Sequence, residues 1–120
     1  MRITTILFVA AGLVAFSGPA SGQAPNETEE TDFERGESVY TYWCATCHSA
    51  GPEMPGTAAL QAKYNGSTPA VLTDRTDLTE EMIASFVRNG VSVMPPFRKT
   101  EITDADLRAM AEYLISRNQD

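Results

Sequence analysis

Apolar residues recur along this chain at intervals of three and four, and no stretch shows the two-residue alternation typical of a half-buried β-strand. The first periodic stretch predicts a helix over 32–46, whose shared face is formed by Gly36, Val39, Tyr40, Trp43, Cys44 and Cys47. A loop rich in Gly and Pro follows over 49–55, and a short helix is predicted over 57–64. The pattern therefore predicts an all-α fold.

Two later helices carry their own start signals, and the first of them follows Thr79. Thr79 is placed to cap a helix that begins at Glu80, and Leu78 and Ile83 have the spacing of a hydrophobic staple. The Asn-Gly pair at 89–90 is expected to end this helix.

The last helix repeats this arrangement. Thr103 and Asp106 have the spacing of a capping box, and the buried stripe that follows is formed by Leu107, Met110, Ala111 and Leu114. Between the two helices, 91–100 is predicted to be an irregular loop, which contains Met94-Pro95-Pro96.

The N-terminus has the three parts of a signal peptide. Arg2 gives the positive start, 3–16 is apolar and uncharged, and small residues over 20–22 form a cleavage site. The apolar run is too short to span a bilayer comfortably, so we expect cleavage near Gly22, export to the periplasm and no membrane anchor afterwards. The chain is thus expected to divide into a signal peptide over 1–22, a disordered acidic tail over 23–31 and one folded domain over 32–118.

The charge balance narrows the choice of partners. The chain has 16 Asp and Glu against 9 Lys and Arg, for a net charge of −7, and removal of 1–22 takes away one basic residue and no acidic one. Such acidity argues against nucleic acid or an anionic membrane as partner. It fits a protein partner that bears basic residues; net acidity that only aids solubility is the alternative.

Cys44-Ala45-Thr46-Cys47-His48 is the strongest chemical signal, because Cys-x-x-Cys-His is the attachment motif of c-type haem. Two thiols three positions apart on a helical turn lie on one side, at a reach that matches the two haem vinyl groups. The next residue, His48, is then carried beneath the ring, where its imidazole can bind iron. We therefore predict one covalent haem c, attached through Cys44 and Cys47 and ligated by His48.

Other interpretations of the motif each meet an objection. A thioredoxin-like dithiol requires a strand before the motif, and here a helical pattern leads into it. A zinc site requires a fourth ligand, and the chain has no other Cys and no other His. A structural disulfide leaves His48 unexplained. A disulfide or dithiol protein without haem is kept as an alternative.

The second axial ligand follows partly by elimination. Because His48 is the only histidine, ligation by two histidines of one chain is excluded, and thioether sulfur is the next usual ligand. The candidates after export are Met54, Met82, Met94 and Met110. Met94 is favoured because it lies in a loop that the two following prolines stiffen. If Met94 only packs, the iron keeps an open position, which would suit a ligand sensor or a weak peroxidase.

From about Phe33 to Asn118 the chain resembles the class I cytochromes c. The matching features are Gly36, Tyr40, the motif at 44–48, the segment 89–95 and Ala111-Glu112-Tyr113-Leu114. The resemblance implies a cytochrome c-like fold in which the N- and C-terminal helices cross in close contact, with helices packed around one haem. It also implies that Gly36 and Tyr40 meet Met110, Tyr113 and Leu114, and that the methionine ligand is Met94.

Within that class, the C-terminal half is similar to small mono-haem cytochromes that serve periplasmic flavoproteins of the p-cresol methylhydroxylase type. This resemblance implies an electron carrier or the cytochrome subunit of an oxidoreductase complex, not an enzyme by itself, with a flavoprotein or quinoprotein dehydrogenase as donor. The family's proline carbonyl, which orients the histidine ligand, corresponds to Pro55 or Pro52, with Pro55 preferred.

Two further groups of residues are expected near the haem. The apolar walls of the haem pocket are expected to be formed by Tyr40, Trp43, Leu60, Tyr64, Leu72, Ile83, Phe86, Val87, Phe97 and Leu114. Candidate partners of the haem propionates are Tyr64, Arg75, Arg98 and Lys99. With both axial positions filled, no substrate reaches the iron, so the expected function is outer-sphere electron transfer.

Overall fold

The computed structural model describes residues 30–117, and these are largely helical. The elements are, in chain order, α1 (Asp32–Trp43), α2 (Ala45–His48), α3 (Pro55–Tyr64), a 3₁₀ turn (Leu72–Asp74), α4 (Glu80–Asn89) and α5 (Asp104–Ser116). Within this range there is no strand, and one isolated bridge joins Val91 to Met94. The predicted all-α fold is confirmed. The signal peptide and most of the acidic tail lie outside the described residues, so those boundaries stay predictions.

α1 begins at Asp32, as predicted, because Thr31 caps it. The Thr31 hydroxyl accepts a hydrogen bond from the Glu34 backbone N–H at 3.2 Å, and the Glu34 carboxylate accepts one from the Thr31 N–H at 2.9 Å. This reciprocal capping box satisfies two N–H groups at the helix start. Thr31 is therefore fixed to the first turn of α1.

The end of α1 differs from the prediction of residue 46, because the helix is interrupted at Cys44. The Cys44 N–H donates to the Tyr40 carbonyl at 2.9 Å, whereas the Cys47 N–H donates to the carbonyl of Cys44, only three residues back, at 3.0 Å. This tighter step separates α1 from α2. The motif is nevertheless helical as far as His48, two residues beyond the predicted end.

α1 and α5 cross in close contact at Gly36. A Cβ built on Gly36 would overlap the backbone carbonyl oxygen of Ala109 and lie 2.8 Å from Cβ of Tyr113, so the approach requires a residue without a side chain. Beside it, the rings of Tyr40 and Tyr113 lie 5.7 Å apart. The predicted crossing is confirmed, with Ala109, a residue outside the predicted contact set, nearest to Gly36.

The other helices begin and end at local signals. α3 begins at Pro55, two residues earlier than predicted, because proline suits the first helical position, and it ends at Asn65 in the left-handed region with φ 48°. α4 and α5 begin where predicted. The hydroxyls of Thr79 and Thr103 each accept the N–H of the residue three positions on, at 3.2 and 3.1 Å.

The hydrophobic core lies between α1, α4 and α5. Its largest fully buried side chains are Ile102, Met110 and Leu114. None of the helices within 30–117 has the length and hydropathy needed to cross a bilayer.

Candidate haem site

An apolar cavity opens beside this core. Its volume is about 130 Å³, and it is partly open to solvent. Its lining is formed by Cys44, His48, Leu60, Lys63, Tyr64, Leu72, Arg75, Leu78, Ile83, Phe86, Val87, Val91, Met94, Met110 and Leu114. The cavity therefore has apolar walls with a few nitrogen, sulfur and basic groups.

Three of the four predicted site residues line this cavity. Cys44, His48 and Met94 face it from the motif and from the loop after α4, although 46 positions separate the histidine from the methionine in sequence. Cys47 does not line it and is partly exposed on α2. The fold thus brings together a thiol, an imidazole and a thioether around one apolar space.

Both cysteines are free thiols, so the structure contains no disulfide between them. Burial, with a smaller contribution from Cys47, raises the pKa of the Cys44 thiol to about 11. Its Sγ lies 3.5 Å from Sδ of Met110. Within 30–117, no group of three His, Cys, Asp or Glu side chains is placed to hold a metal ion, so a zinc site lacks its ligands there.

His48 closes α2 and presents a neutral ring. Burial lowers the pKa of the imidazole below its ordinary value, which favours the uncharged form that carries a free lone pair. Nδ1 is buried and has no hydrogen-bond partner among the described residues. The hydrogen bond that Nδ1–H was expected to donate to the carbonyl of Pro55 or Pro52 is therefore not made in this structure. A buried nitrogen without a partner is costly, and the ring thus keeps unused bonding capacity.

Met94 closes a short turn with a fixed backbone. Met94 and Val91 exchange two backbone hydrogen bonds, of 2.9 and 3.0 Å, and the Phe97 N–H donates to the Val87 carbonyl at 2.8 Å. Gly90 packs beneath the loop, because a Cβ built there would lie 2.6 Å from the Met94 carbonyl oxygen.

The positions of the other methionines distinguish them from Met94 as ligand candidates. Met110 also lines the cavity, but it is only 1% exposed and belongs to the core, as its place on the α5 stripe predicts. Met54 and Met82 do not line the cavity.

Basic and aromatic groups gather at one side of the cavity. Arg75, whose side chain is only 5% exposed, makes two hydrogen bonds to Asp77 and stacks 4.9 Å from the centre of the Tyr64 ring. Lys63, on the same turn of α3 as Tyr64, lines the cavity and was missed because its position depends on how α3 packs.

Arg98 and Lys99, the other two predicted propionate partners, do not line the cavity. Each forms an ion pair with a carboxylate a few residues away in sequence. Arg98 pairs with Glu101 at 3.3 Å and Lys99 pairs with Asp104 at 2.6 Å.

The predicted walls are largely found, with three corrections. Tyr40, Trp43 and Phe97 do not line the cavity. Tyr40 packs on Tyr113 in the α1–α5 contact, and the rings of Trp43 and Phe97 pack edge to face at 5.7 Å. Leu78 and Val91 line the cavity instead, and neither was among the predicted wall residues.

The residues present fit a covalent haem with iron. The cavity is apolar, a neutral imidazole and a soft thioether both line it, and one of the two motif sulfurs reaches it. A Cβ built on Gly56 would lie 2.7 Å from Cε1 of His48, so α3 leaves room for the ring only because residue 56 has no side chain.

Known proteins are similar to this chain in sequence and in fold. The family model described as cytochrome C oxidase, cbb3-type, subunit III, matches residues 31–114. Cytochrome c6 of Cyanidioschyzon merolae (strain NIES-3377 / 10D) is 30% identical over 92 residues, which cover 72% of this chain and 75% of the relative. The cytochrome c subunit of 4-cresol dehydrogenase (hydroxylating) of Pseudomonas putida is 30% identical over 97 residues, covering 81% of this chain and 70% of the relative.

A solved structure agrees with these relatives. A chain in the crystal structure of p-cresol methylhydroxylase with substrate bound is 34% identical and superposes with a TM-score of 0.50, covering 72% of this chain and 96% of that chain. The protein thus belongs to the family described as cytochrome C oxidase, cbb3-type, subunit III, and is a small class I c-type cytochrome, an electron carrier rather than an enzyme.

Proposed function

We propose that this protein is an exported, periplasmic carrier of single electrons that holds one haem c through Cys44 and Cys47, with His48 and Met94 as axial ligands. The observation that supports this most directly is that His48 and Met94 line the same apolar cavity together with Cys44. When bound, the haem supplies the one-electron couple of its iron.

The chain's own residues would set the properties of that couple. Burial keeps the His48 imidazole neutral, so that a ring lone pair is available to iron without loss of a proton. The Met94 thioether is a soft donor that favours the reduced metal and raises the potential. The apolar walls act in the same direction, because they disfavour the extra positive charge of the oxidised state.

The propionate groups of the haem would lie at the basic side of the cavity. Lys63, Tyr64 and Arg75 line the cavity there, and the guanidinium of Arg75 is held by Asp77 at 2.6 Å. Because Asp77 fixes the guanidinium, its positive charge stays on this side of the cavity with little further loss of side-chain entropy.

The proposed electron donor is a flavoprotein or quinoprotein dehydrogenase. The support is the similarity to the cytochrome c subunit of 4-cresol dehydrogenase and to a chain of p-cresol methylhydroxylase. The acidic composition of the chain suits a donor surface with basic residues, since complementary charge speeds association. Nucleic acid and membrane are not proposed as partners.

The axial ligand is tested by Met94→Ala, with Met110→Leu as the matched control in the same cavity. The oxidised wild-type protein and Met110→Leu should both show the near-infrared sulfur-to-iron charge-transfer band. Met94→Ala should lose this band, show a lower midpoint potential and bind carbon monoxide when reduced. Persistence of the band in Met94→Ala, or its loss in Met110→Leu alone, would overturn the assignment of Met94.

Covalent attachment is tested separately by mass. The mature protein, made in cells with haem c maturation machinery, should weigh one haem more than its polypeptide. In Cys44→Ser/Cys47→Ser the haem should be absent or extractable with acidified organic solvent. A wild-type mass equal to the polypeptide alone would refute the proposal.

A further inference from the structure

The side chain of Arg88 joins three parts of the fold near Met94. Arg88 lies in the last turn of α4, and its side chain is 21% exposed. Its Nη1 donates to the backbone carbonyl of Phe97 at 3.1 Å, and its Nη2 donates to the carboxylate of Asp104 at 2.9 Å. We call the Arg88 side chain with these two acceptors the Arg88 bridge.

The two acceptors flank the segment of chain that leads from the loop of Met94 to α5. Phe97 comes three residues after Met94, and Asp104 is the first residue of α5. The backbone hydrogen bonds already described, between Val91 and Met94 and from Phe97 to Val87, fasten the loop to itself and to α4. The Arg88 bridge adds a connection to α5, the helix that contributes Met110 and Leu114 to the cavity.

The chemistry of the bridge makes it strong for its partly exposed position. A guanidinium is planar and always charged, so one side chain can serve a carbonyl and a carboxylate together. Asp104 is itself fixed, because its second oxygen accepts a hydrogen bond from Lys99 at 2.6 Å. Lys99 and Arg88, in that order, hold the pKa of the Asp104 carboxyl below its ordinary value, so both hydrogen bonds go to a carboxylate at neutral pH.

We propose that Arg88 is a positioning residue that keeps the loop of Met94 closed over the cavity and so holds the thioether at the iron. This inference rests on the proposed function, in which Met94 is the ligand. The α1–α5 contact at Gly36 does not involve Arg88, so loss of the bridge should open the loop locally and leave the rest of the fold intact.

The test measures how fast Met94 leaves the oxidised iron. At saturating imidazole, the rate of imidazole binding is limited by opening of the loop. Arg88→Gln removes both charged hydrogen bonds and should raise this limiting rate about tenfold. Arg88→Lys keeps the charge but cannot reach both acceptors in the same way, and should give an intermediate rate. Equal limiting rates for Arg88→Gln and the wild type would overturn the inference.

Two control variants separate the bridge from general effects. Arg98→Gln makes the same charge change beside the same loop, but Arg98 pairs with nearby Glu101 and its side chain is 80% exposed, so its rate should equal that of the wild type. Arg35→Gln removes the ion pair of α1 with Asp106 on α5, at 2.7 Å, and weakens the fold away from the loop. If Arg35→Gln raised the rate as much as Arg88→Gln for the same loss of stability in urea, the inference would be wrong.

The wild-type spectrum distinguishes this inference from the proposed function. A sulfur-to-iron band in the wild type together with equal rates in all variants would overturn the role of Arg88 alone. Absence of the band in the wild type would overturn both the ligand assignment and the inference that depends on it.

Discussion

The backbone of Gly56 lies directly against the imidazole of His48. A Cβ built on Gly56 would be 2.7 Å from Cε1 and 2.9 Å from Nδ1 of the ring, and 2.8 Å from the carbonyl oxygen of Cys47. All three are closer than a real Cβ tolerates. The first turn of α3 therefore supports one edge of the ring and fixes its orientation towards the cavity.

We expect Gly56→Ala to displace the His48 ring. Overpacking of this kind costs about 1–3 kcal/mol, and here the obstacles are a ring and a backbone oxygen that have little room to move. A smaller fraction of the variant should carry haem, and its midpoint potential should be shifted. The measurement is haem per polypeptide in the purified protein. Ala59→Ser, at an exposed position of the same helix, should match the wild type, and a fully loaded Gly56→Ala protein would contradict the prediction.

The crossing of α1 and α5 gives a second prediction. In Gly36→Ala the new methyl group would overlap the carbonyl oxygen of Ala109, so the two helices must separate. The expected loss is about 1–3 kcal/mol of unfolding free energy, towards the upper end because the obstacle is backbone. Urea unfolding of the haem-loaded protein measures this loss. Ser38→Ala, at an exposed position of α1, should change stability little, and equal stability of Gly36→Ala would show that the helices adjust freely.

Tyr40 gives a prediction at alkaline pH. Burial raises the pKa of the Tyr40 phenol to about 12, and its hydroxyl donates to the His48 carbonyl at 3.1 Å. The folded protein therefore favours the protonated phenol. The associated stability is complete below pH 10, the phenol's ordinary pKa, and is lost as pH rises from 10 towards 12.

Tyr40→Phe should be less stable than the wild type at neutral pH, but it should lose less stability at alkaline pH. At neutral pH it should lose about 1 kcal/mol, because the hydrogen bond to the His48 carbonyl is gone. Between pH 10 and 12 its stability should fall less steeply than that of the wild type, because no buried phenol has to ionise. Urea unfolding at a series of pH values tests both expectations, and parallel curves for the two proteins would rule out Tyr40 as the titrating group.

Local signals in the sequence predicted where α1, α4 and α5 begin. Which residues line the cavity depends instead on how the helices pack. The caps at Thr79 and Thr103 are correct because a cap depends on residues within one turn. Trp43 shares the apolar face of α1, but which part of that face meets the cavity is decided by the crossing with α5. Trp43 therefore packs on Phe97 instead.

The charged residues also show the difference between local signals, which the sequence reveals, and packing, which it does not. Arg98 and Lys99 were candidate partners of the haem propionates, but each pairs with a carboxylate within five residues in sequence. Arg75 does reach the cavity, although its side chain is almost fully buried, which is uncommon for arginine and requires a partner such as Asp77. Such pairings depend on side-chain positions in three dimensions, and residue type alone does not reveal them.

The pair of Arg75 and Asp77 gives the last prediction, which concerns acid. The hydrogen bond from Arg75 holds the pKa of the Asp77 carboxyl below its ordinary value. A lowered pKa means that the folded state favours the carboxylate. The pair therefore stabilises the protein fully above about pH 4, and this contribution is lost as pH falls through the lower pKa of the folded state.

Asp77→Asn should remove this dependence. Because Asp77 is 48% exposed, the loss of unfolding free energy at pH 7 should be only about 1 kcal/mol. Below pH 4 the variant should approach the wild type, since the wild-type carboxylate is then being protonated as well. Urea unfolding between pH 2 and 7 measures the difference, and Glu112→Gln, which neutralises an exposed acid on α5, is the matched control. A stability difference between Asp77→Asn and the wild type that stays constant down to pH 2 would show that the ionised pair does not contribute as argued.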